Sequence, residues 1–343
     1  MTPVGDSVSR ALRSPDDVRQ ALEAFSLSRL MTWAVSVGLF EAIGTSGTVV
    51  SRLASSVEIP AEETLRFLRA LDGAGLLLIG DESNDPAVAL TESGRSLLID
   101  TPGSLAGAAR FCHDVGWKTW SSLTDAASAV EVGSASTAFD LIEGAGLRGA
   151  FEQQMHASTI RYARGLATLL ASLEFERLID VGGGSGAVSA ALLALAPART
   201  VTVMDRGAAL PAARATLAAV SETGWSVEEG DFLSEVPRGA DCLLLSRILH
   251  DWNDEMALTI LRNCARAVSA GSWLVVFEKS IDAGATDDER LDFAMSDLNV
   301  WRMCGGAERT REQFRALLKS GGFTPVSEHD VDSKHVALVA VRS

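Results

Sequence analysis

The sequence predicts an α/β fold, in which a Rossmann-like domain follows a mainly helical, winged-helix-like N-terminal domain. Two observations predict it. From residue 174 onward, short apolar runs typical of buried parallel strands alternate with longer helical patterns. Before that point helical patterns dominate, and the apolar runs at 76–79 and 87–90, which a polar loop separates, indicate a β-hairpin. Alternating strands and helices are typical of a parallel sheet that is covered by helices on both faces.

Length and composition indicate more than one domain. The chain has 343 residues, of which 47% are hydrophobic, and this is enough for more than one core. We expect an N-terminal domain over residues 1–104, connecting helices that cover the site over 105–173, and the Rossmann-like domain over 174–343. The order helix, helix, hairpin in the first of these segments resembles a winged helix.

A long helix is predicted near the N-terminus. Ser14 can cap it, Pro15 suits its first position and Gly44 ends it. Its apolar stripe is unusually wide and consists of Val18, Leu22, Phe25, Leu30, Trp33, Val37 and Phe40. A stripe wider than one small domain can cover indicates an interface with another molecule.

Charge and composition exclude several classes of partner. Of two shorter predicted helices, at 49–56 and 60–71, the second carries glutamates beside its arginines and lacks the basic face of a DNA reader. The formal net charge of -15 also argues against a nucleic-acid or anionic-membrane partner. The four cysteines are scattered without a C-x-x-C pair, which argues against a disulfide framework or a zinc site. Since the sequence shows no signal-peptide pattern and no membrane-spanning apolar run, we expect a cytoplasmic protein.

The segment Leu-Ile-Asp-Val-Gly-Gly-Gly-Ser-Gly at 178–186 predicts a nucleotide-binding turn. Its first residues are typical of a buried strand, its glycines allow a tight turn, and the apolar run at 187–195 predicts a helix directly after it. A ligand would then lie at a helix N-terminus, beyond the carboxyl end of a strand. The turn contains no Lys or Arg, and Asp180 precedes it, so a cationic ligand suits it better than a pyrophosphate.

Two acids follow at the ends of the next predicted strands. Asp205 ends the strand at 199–204, at the spacing where an acid usually binds ribose hydroxyls. Asp231 and Phe232 follow the strand at 225–229, where a carboxylate and an aromatic ring can bind an adenine amino group and cover the base. The three strands therefore predict a site for an adenine nucleoside.

Three further segments carry specific motifs. Ser-Arg-Ile-Leu-His-Asp-Trp-Asn-Asp occupies 246–254 after a strand, Val-Val-Phe-Glu ends a strand at 275–278, and Gly-Gly-Ala-Glu-Arg-Thr occupies 305–310. Together with the glycine turn and the acids, they resemble the large dimeric O-methyltransferases that use S-adenosylmethionine (SAM). That family includes plant caffeate-type enzymes and bacterial enzymes of antibiotic and pigment biosynthesis. The resemblance covers nearly the whole chain.

The resemblance implies a general base at His250, flanked by the carboxylates of Glu278 and Glu308. It also implies SAM as cofactor, a small-molecule acceptor, a homodimer held by the N-terminal domain, and no metal. The residues expected to contact SAM are Asp180, Gly182, Gly184, Asp205, Asp231, Phe232, Ser246, Arg247, Met155, Ser158 and Arg148. The residues expected to contact the acceptor are Trp117, Trp120, Met295, Asn299, Trp301, Met303 and Asp251.

The chemistry of methyl transfer explains why a histidine would serve. A sulfonium donor is already activated and leaves as a neutral thioether, so the enzyme must mainly align the reactants and deprotonate the acceptor hydroxyl. An imidazole that titrates near neutral pH can take that proton.

Three alternatives stay open on the sequence alone. The same fold could methylate nitrogen or carbon, or bind SAM without transferring its methyl group. A winged-helix regulator that senses a ligand is the second alternative. The third is an NAD-dependent oxidoreductase, since Gly182, Gly184 and Ala187 also fit the pattern G-x-G-x-x-A.

Overall fold

A computed structural model of the protein describes residues 12–80, 84–101, 103–121, 148–281 and 285–343, with the main chain alone over 148–154. The described residues form two compact units. The N-terminal unit holds those of Leu12–Thr124 and Ile142–Ala157, and the C-terminal unit is Ser158–Ser343. This division falls inside one helix, whereas we expected boundaries after residues 104 and 173.

The N-terminal unit is mainly helical and contains a small antiparallel sheet. Its elements are α1 (Pro15–Ser36), α2 (Leu39–Ile43), β1 (Thr48–Val49), α3 (Val50–Ser56), α4 (Ala61–Gly73), β2 (Leu77–Ile79), β3 (Ala87–Leu90), α5 (Glu92–Arg95), α6 (Ala106–Phe111), a π-helical turn (Cys112–Gly116), α7 (Trp117–Ser121) and the start of α8 (Arg148–Ser172). Strands β2 and β3 form the predicted hairpin, which is confirmed, and β1 pairs with the other edge of β3. The core of this unit includes Phe40, Leu53, Leu68 and Leu77.

The long N-terminal helix is interrupted. Ser14 caps α1 through a capping box with Asp17, as its residue type suggests. The helix ends at Ser36, and Gly38 then takes a φ of +73°, which L side chains rarely adopt. The prediction of one helix up to Gly44 is therefore wrong. The apolar stripe continues across the break and concealed it.

A seven-stranded sheet forms the centre of the C-terminal unit. Its strands are β4 (Arg177–Val181), β5 (Thr200–Asp205), β6 (Trp225–Glu229), β7 (Cys242–Ser246), β8 (Trp273–Lys279), β9 (Phe323–Asp330) and β10 (His335–Arg342). Their order is β6-β5-β4-β7-β8-β10-β9, and all neighbours are parallel except that β10 is antiparallel to β8 and β9. The order of strands reverses beside β4 and β7, and open α/β sheets bind ligands at the carboxyl ends of strands beside such a reversal.

Helices cover both faces of this sheet. They are the rest of α8, α9 (Ala187–Leu195), α10 (Leu210–Ala218), a 3-10 turn (Leu249–Asp251), α11 (Asp254–Ala267), α12 (Asp287–Cys304) and α13 (Arg311–Ser320). Leu243 and Leu245 of β7 pack with residues of α11 and α13, whereas Leu244 packs with residues of α8 and α9. A strand buried on both faces carries a continuous apolar run, which explains the sequence of β7. Within the described ranges, no helix is both long and apolar enough to cross a membrane.

Arg199 fastens the carboxyl end of α8 to the sheet. Its guanidinium donates hydrogen bonds to the carbonyls of Leu170 at 2.7 Å, Ala171 at 3.0 Å and Leu173 at 2.7 Å. It also lies 4.0 Å from the ring centroid of Phe175. The last carbonyls of a helix have no partner within the helix, so Arg199 satisfies groups that would otherwise need water.

We expect Arg199→Met to lower the free energy of unfolding by about 2–4 kcal/mol, because each hydrogen bond from a charged donor is worth roughly 1.5–3 kcal/mol and bonds from one group do not add fully. Urea unfolding followed by circular dichroism measures this change. Arg214→Met, at an exposed position of α10, is the matched control and should cost less than about 0.5 kcal/mol. Equal stability of the two variants would contradict this role of Arg199.

Candidate active site

The chain turns sharply after β4, and three glycines make this turn possible. Their φ angles are +72° at Gly182, +55° at Gly184 and +70° at Gly186. A Cβ atom at Gly182 would lie 2.5 Å from Cδ1 of Ile248, whereas one at Gly184 would meet no described atom within 4 Å. The turn therefore approaches the segment after β7 closely and faces open space at Gly184.

Asp180 lies buried in β4 beneath this turn. Its Oδ2 accepts a hydrogen bond from Oγ of Ser189 at 2.8 Å, and its Oδ1 has no hydrogen-bond partner among the described residues. Burial raises the pKa of Asp180 to about 7 against the lowering effect of Ser189, and the charge of Asp205 adds to the rise. Oγ of Ser246, which ends the neighbouring strand β7, is a second buried polar atom without a described partner. Two adjacent strand ends thus present polar atoms that can bind a ligand.

Asp205 and Asp231 lie at the ends of β5 and β6, on the other side of β4. The carboxylate of Asp205 accepts hydrogen bonds from the amides of Gly184 at 2.8 Å and Arg206 at 2.7 Å, which fix it against the glycine turn. The carboxylate of Asp231 accepts hydrogen bonds from the amide of Leu233 at 2.9 Å and from the hydroxyl of Ser234 at 3.0 Å. Because each carboxylate oxygen accepts two hydrogen bonds, both side chains can also bind hydroxyl or amino groups of a ligand.

Phe232 packs against the glycine turn. A Cβ atom at Gly182 would lie 3.3 Å from its ring, and the ring meets Trp252 edge-on with 5.8 Å between centroids. Nδ2 of the buried Asn263 donates to the carbonyls of Phe232 at 2.9 Å and Leu233 at 2.8 Å. The aromatic ring predicted to cover a base is thus held beside the turn by a buried amide.

His250 lies on the 3-10 turn that follows β7. Arg247 precedes this turn with a φ of +57°, an uncommon conformation for a side chain of its size. Oε1 of Glu278 accepts hydrogen bonds from the amides of Ile248 at 3.0 Å and Leu249 at 2.7 Å. We expected Glu278 to orient the imidazole ring, but its hydrogen bonds hold the backbone of the turn. It still contributes charge, although burial raises the pKa of Glu278 to about 7.

Glu308 and Asp251 are the carboxylates nearest the imidazole ring. Nδ1 of His250 lies 3.4 Å from Oε1 of Glu308, and Oγ of Ser296 donates to the same oxygen at 2.7 Å. Nε2 of His250 lies 3.6 Å from Oδ1 of Asp251, beyond hydrogen-bond distance. If Nδ1 carries the proton toward Glu308, Nε2 holds the lone pair that can accept another.

The surroundings of His250 favour its charged form. Burial alone would lower the pKa of His250, but the charges of Asp251, Glu278 and Glu308 outweigh it and raise the pKa to about 9. Burial alone would raise the pKa of Glu308, yet the hydrogen bond and the charge of His250 hold it below its usual value. The pair thus favours an imidazolium beside a carboxylate, so this site stabilises the ring after it has taken a proton.

Helix α12 brings some of the predicted acceptor residues toward His250. Residues three, four and seven apart share a helix face, so Asn299 and Met303 lie on the face from which Ser296 reaches Glu308. Nδ2 of Asn299 is 3.6 Å from Sδ of Met303. Trp301 lies about 140° around the helix from Ser296, and Met295 is 45% exposed. Asn299 and Met303 therefore share a helix face with Ser296, whereas Trp301 shares one with Asp297, whose carboxylate accepts a hydrogen bond from the amide of Glu308 at 2.9 Å.

Five other predicted residues lie on α7 and α8. Three of them belong to the N-terminal unit: Trp117, Trp120 and Met155. The side chain of Arg148 is outside the described residues. Ser158, the first residue of the C-terminal unit, accepts a hydrogen bond from Nη1 of Arg247 at 3.4 Å.

The structure also shows contacts that sequence reasoning missed. A Cβ atom at Gly306 would lie 2.0 Å from the carbonyl oxygen of His250, and the amide of Ala307 donates to that oxygen at 2.9 Å. The glycine pair before Glu308 was a signal of this close approach. No signal identified Ser296, since a serine within a helix is usually exposed to solvent. Within the described chain, no group of three or more His, Cys, Asp or Glu side chains is arranged to hold a metal ion.

Comparisons with known proteins show the family to which the chain belongs. The sequence model of the O-methyltransferase domain family matches residues 131–324, more than half of the chain. The O-demethylpuromycin-O-methyltransferase of Streptomyces alboniger is 31% identical over 314 residues, which cover 86% of this chain and 80% of that enzyme. The 3-amino-4-hydroxybenzoate 4-O-methyltransferase of Streptomyces cremeus is 29% identical over 314 residues, which cover 89% of this chain and 84% of that enzyme.

A solved structure extends the likeness to the fold. The mitomycin 7-O-methyltransferase MmcR matches with a TM-score of 0.83 and 26% identity, over 95% of this chain and 97% of that one. The predicted fold class is confirmed, and the match favours methyl transfer over the regulator and the oxidoreductase. The chain therefore belongs to the family of SAM-dependent O-methyltransferases.

Proposed function

We propose that this protein methylates a hydroxyl group of an aromatic or polyketide-like small molecule, with His250 as the general base. The observation that carries this proposal is the buried imidazole, whose Nδ1 faces Glu308 and whose Nε2 makes no hydrogen bond within the described chain. The names of three similar proteins support oxygen as the atom that is methylated, because each name describes an O-methyltransferase. One of these names specifies a hydroxybenzoate as the acceptor.

The residues around the glycine turn fit SAM. Asp180 Oδ1 and Ser246 Oγ are buried polar atoms without described partners, and the amino and hydroxyl groups of a nucleoside amino acid would satisfy them. We assign Asp205 to the ribose hydroxyls, and Asp231 with Phe232 to the adenine. The carboxylate of Asp180 also suits a ligand with positive charge, because ionising it beside a cation lowers the cost of its burial.

In this proposal the chain aligns the acceptor and removes its proton. SAM, when bound, supplies an electrophilic methyl group on a cationic sulfonium. The positive charge of this sulfonium disfavours a charged imidazolium nearby and so lowers the pKa of His250. Nε2 of His250 takes the hydroxyl proton, and the ionised Glu308 stabilises the imidazolium that results. Asn299 and Met303 position the acceptor beside the base. Incubation with methyl-labelled SAM and a panel of hydroxylated aromatic and polyketide acceptors tests the proposal, and transfer to none of them would contradict it.

Asp205→Ala should weaken the binding of SAM and of S-adenosylhomocysteine equally, by about 1.5–3 kcal/mol for the loss of a charged hydrogen bond. Both ligands carry the same ribose, so the methyl group should make no difference. Titration calorimetry on the folded variant measures both affinities, with Glu222→Ala at an exposed position as the matched control. Unchanged affinity in Asp205→Ala would remove this residue from the site.

His250→Gln should reduce turnover on the best acceptor by about 10²- to 10⁴-fold, the usual contribution of a general base. SAM affinity should stay nearly the same, because the base contacts the acceptor. Glu308→Gln should cost less, since it supports the ring and takes no proton itself. His329→Gln, on the exposed part of β9, is the control. Turnover at the parental rate in His250→Gln, or joint loss of folding and SAM binding, would overturn the assignment.

We also propose that the protein is a homodimer that pairs through α1. Val18, Leu22 and Phe25 share one face of this helix and are 44%, 70% and 63% exposed. Apolar side chains that are exposed along one face of a helix are typical of an interface. A second copy presents the same apolar face and can cover it symmetrically.

Light scattering at micromolar concentration should give about twice the chain mass of 36.2 kDa. The double variant Leu22→Asp/Phe25→Asp should shift the protein to a monomer, because it places charge in the apolar face. Leu78→Asp, at another exposed apolar position, should leave the mass unchanged. A parent protein that is monomeric under these conditions would refute the proposed dimer.

A further inference from the structure

Two buried charged side chains bind the backbone of the 3-10 turn that carries His250. Glu278 accepts hydrogen bonds from amides at the start of the turn, at Ile248 and Leu249. Arg309 donates to the carbonyl of Leu249, the first residue of the turn, at 2.8 Å and to that of Trp252, which directly follows the turn, at 2.7 Å. The carbonyl of Leu249 also accepts a hydrogen bond from the amide of Trp252 at 3.3 Å, so Arg309 adds a second donor there. The amides at the start of a helical turn lack partners within it, and Glu278 supplies them.

The guanidinium of Arg309 is almost fully buried, and backbone carbonyls account for most of its bonds. The residue is 2% exposed. Besides the carbonyls of Leu249 and Trp252, Nη1 contacts the carbonyl of Ala307 at 3.2 Å, and Nε and Nη2 lie 2.9 Å and 2.8 Å from Oδ1 of Asp254. The side chain of Asp254 is 84% exposed, so water screens its charge and this ion pair contributes little to holding Arg309 in place. The backbone carbonyls compensate for the lost hydration of the guanidinium.

Three successive residues of the segment 307–309 contact the His250 turn in different ways. The amide of Ala307 donates to the carbonyl of His250, the carboxylate of Glu308 faces the ring, and Arg309 binds the carbonyls on either side. The ring and its carboxylate partner are therefore set at a fixed separation by a single short segment. Only a guanidinium offers a planar fork of donors that can reach two carbonyls and a carboxylate at once, and a lysine ammonium cannot replace it.

We infer that Arg309 is a positioning residue for His250, which fixes the imidazole relative to Glu308 through the backbone of the turn. Among the described residues, Arg309 bonds to Leu249, Trp252, Ala307 and Asp254, so we assign its effect on catalysis to the position of the base. The catalytic consequence rests on the proposed role of His250 as the base, whereas the positioning itself does not.

The variant Arg309→Lys tests this inference through the His250 ring. In the folded variant, the ring should move away from Glu308, and the pKa of His250, followed by NMR on protein with 13C-labelled histidine, should fall toward the ordinary imidazole value. Turnover should fall by about 10²-fold, the usual effect of misplacing a catalytic group by roughly an ångström, while the KM for SAM should stay within about twofold. Arg311→Lys, a nearby arginine that binds carboxylates of β9, should change none of these quantities. An unchanged titration of His250 in Arg309→Lys would overturn the inference.

Two further measurements show which bonds of Arg309 position the His250 ring, those to the backbone carbonyls or the ion pair with Asp254. Asp254→Asn removes the ion pair and keeps the carbonyl bonds, so it should leave the His250 titration as in the parent. A shift equal to that of Arg309→Lys would mean that the ion pair, and not the carbonyl bonds, positions the ring.

If Arg309→Lys fails to fold, hydrogen exchange in the parent protein tests the inference instead. The guanidinium protons of Arg309 should then exchange at least about tenfold more slowly than those of Arg311. Equal exchange would overturn the inference. A shifted titration together with full turnover in His250→Gln would reject the base but keep the positioning role.

Discussion

His250 is only 5% exposed, yet the carboxylates of Asp251, Glu278 and Glu308 all lie near it, and the site depends on how this charge is balanced. A buried carboxylate is costly unless donors surround it. Glu278 accepts hydrogen bonds from two backbone amides, and Glu308 accepts one from the hydroxyl of Ser296 on α12 and faces the imidazole. Asp251 faces the other ring nitrogen and lies 3.5 Å from the thiol of Cys304. These donors reach Oε1 of both glutamates, whereas the buried Oε2 atoms have no hydrogen-bond partner among the described residues, and the three acids together favour the protonated form of the ring.

The strand order places three of the proposed cofactor residues and the proposed base on different sides of the reversal, and Ser246 at the end of β7 is the exception. Strands β4, β5 and β6 deliver Asp180, Asp205 and Asp231 on one side of the reversal, where we place the cofactor. Strands β7 and β8 and the segment 305–309 deliver the base and its supports on the other side. The tight approach of Gly182 to Ile248 joins these halves, because this glycine belongs to the cofactor turn and Ile248 begins the His250 turn. Such a division lets a substitution on one side change affinity for SAM while a substitution on the other changes turnover.

Local sequence signals predicted much of the fold and part of the site. The helix at 187–195 and the strand at 225–229 agree with the structure residue for residue, because a continuous apolar run marks the helix and the glycines at 224 and 230 bound the strand. The break at Gly38 was missed, since a single glycine in an apolar stripe does not show its φ angle in advance. Strand β1 was missed because it has only two residues and exists through pairing with β3.

The roles of Glu278 and Arg309 were harder to predict for a common reason. Both act on the backbone of a turn that is distant in sequence, by 30 residues for Glu278 and 60 for Arg309. Residue type shows what a side chain can bind, but only the tertiary structure shows which backbone groups lie within its reach. His250 and Glu308 both lie in motifs that carry the resemblance, and the structure places their side chains in contact, as we expected.

The dependence of the single-turnover rate on pH, at saturating SAM with a phenolic acceptor, tests the central claim most directly. If His250 removes the acceptor proton, the parental rate rises with pH and levels off once the imidazole is neutral. In His250→Gln the rate should be lower and keep rising in proportion to the ionised fraction of the acceptor, because only the preformed phenolate reacts. Profiles of the same shape in the two proteins would contradict the account, since the imidazole would then take no part in removing the proton.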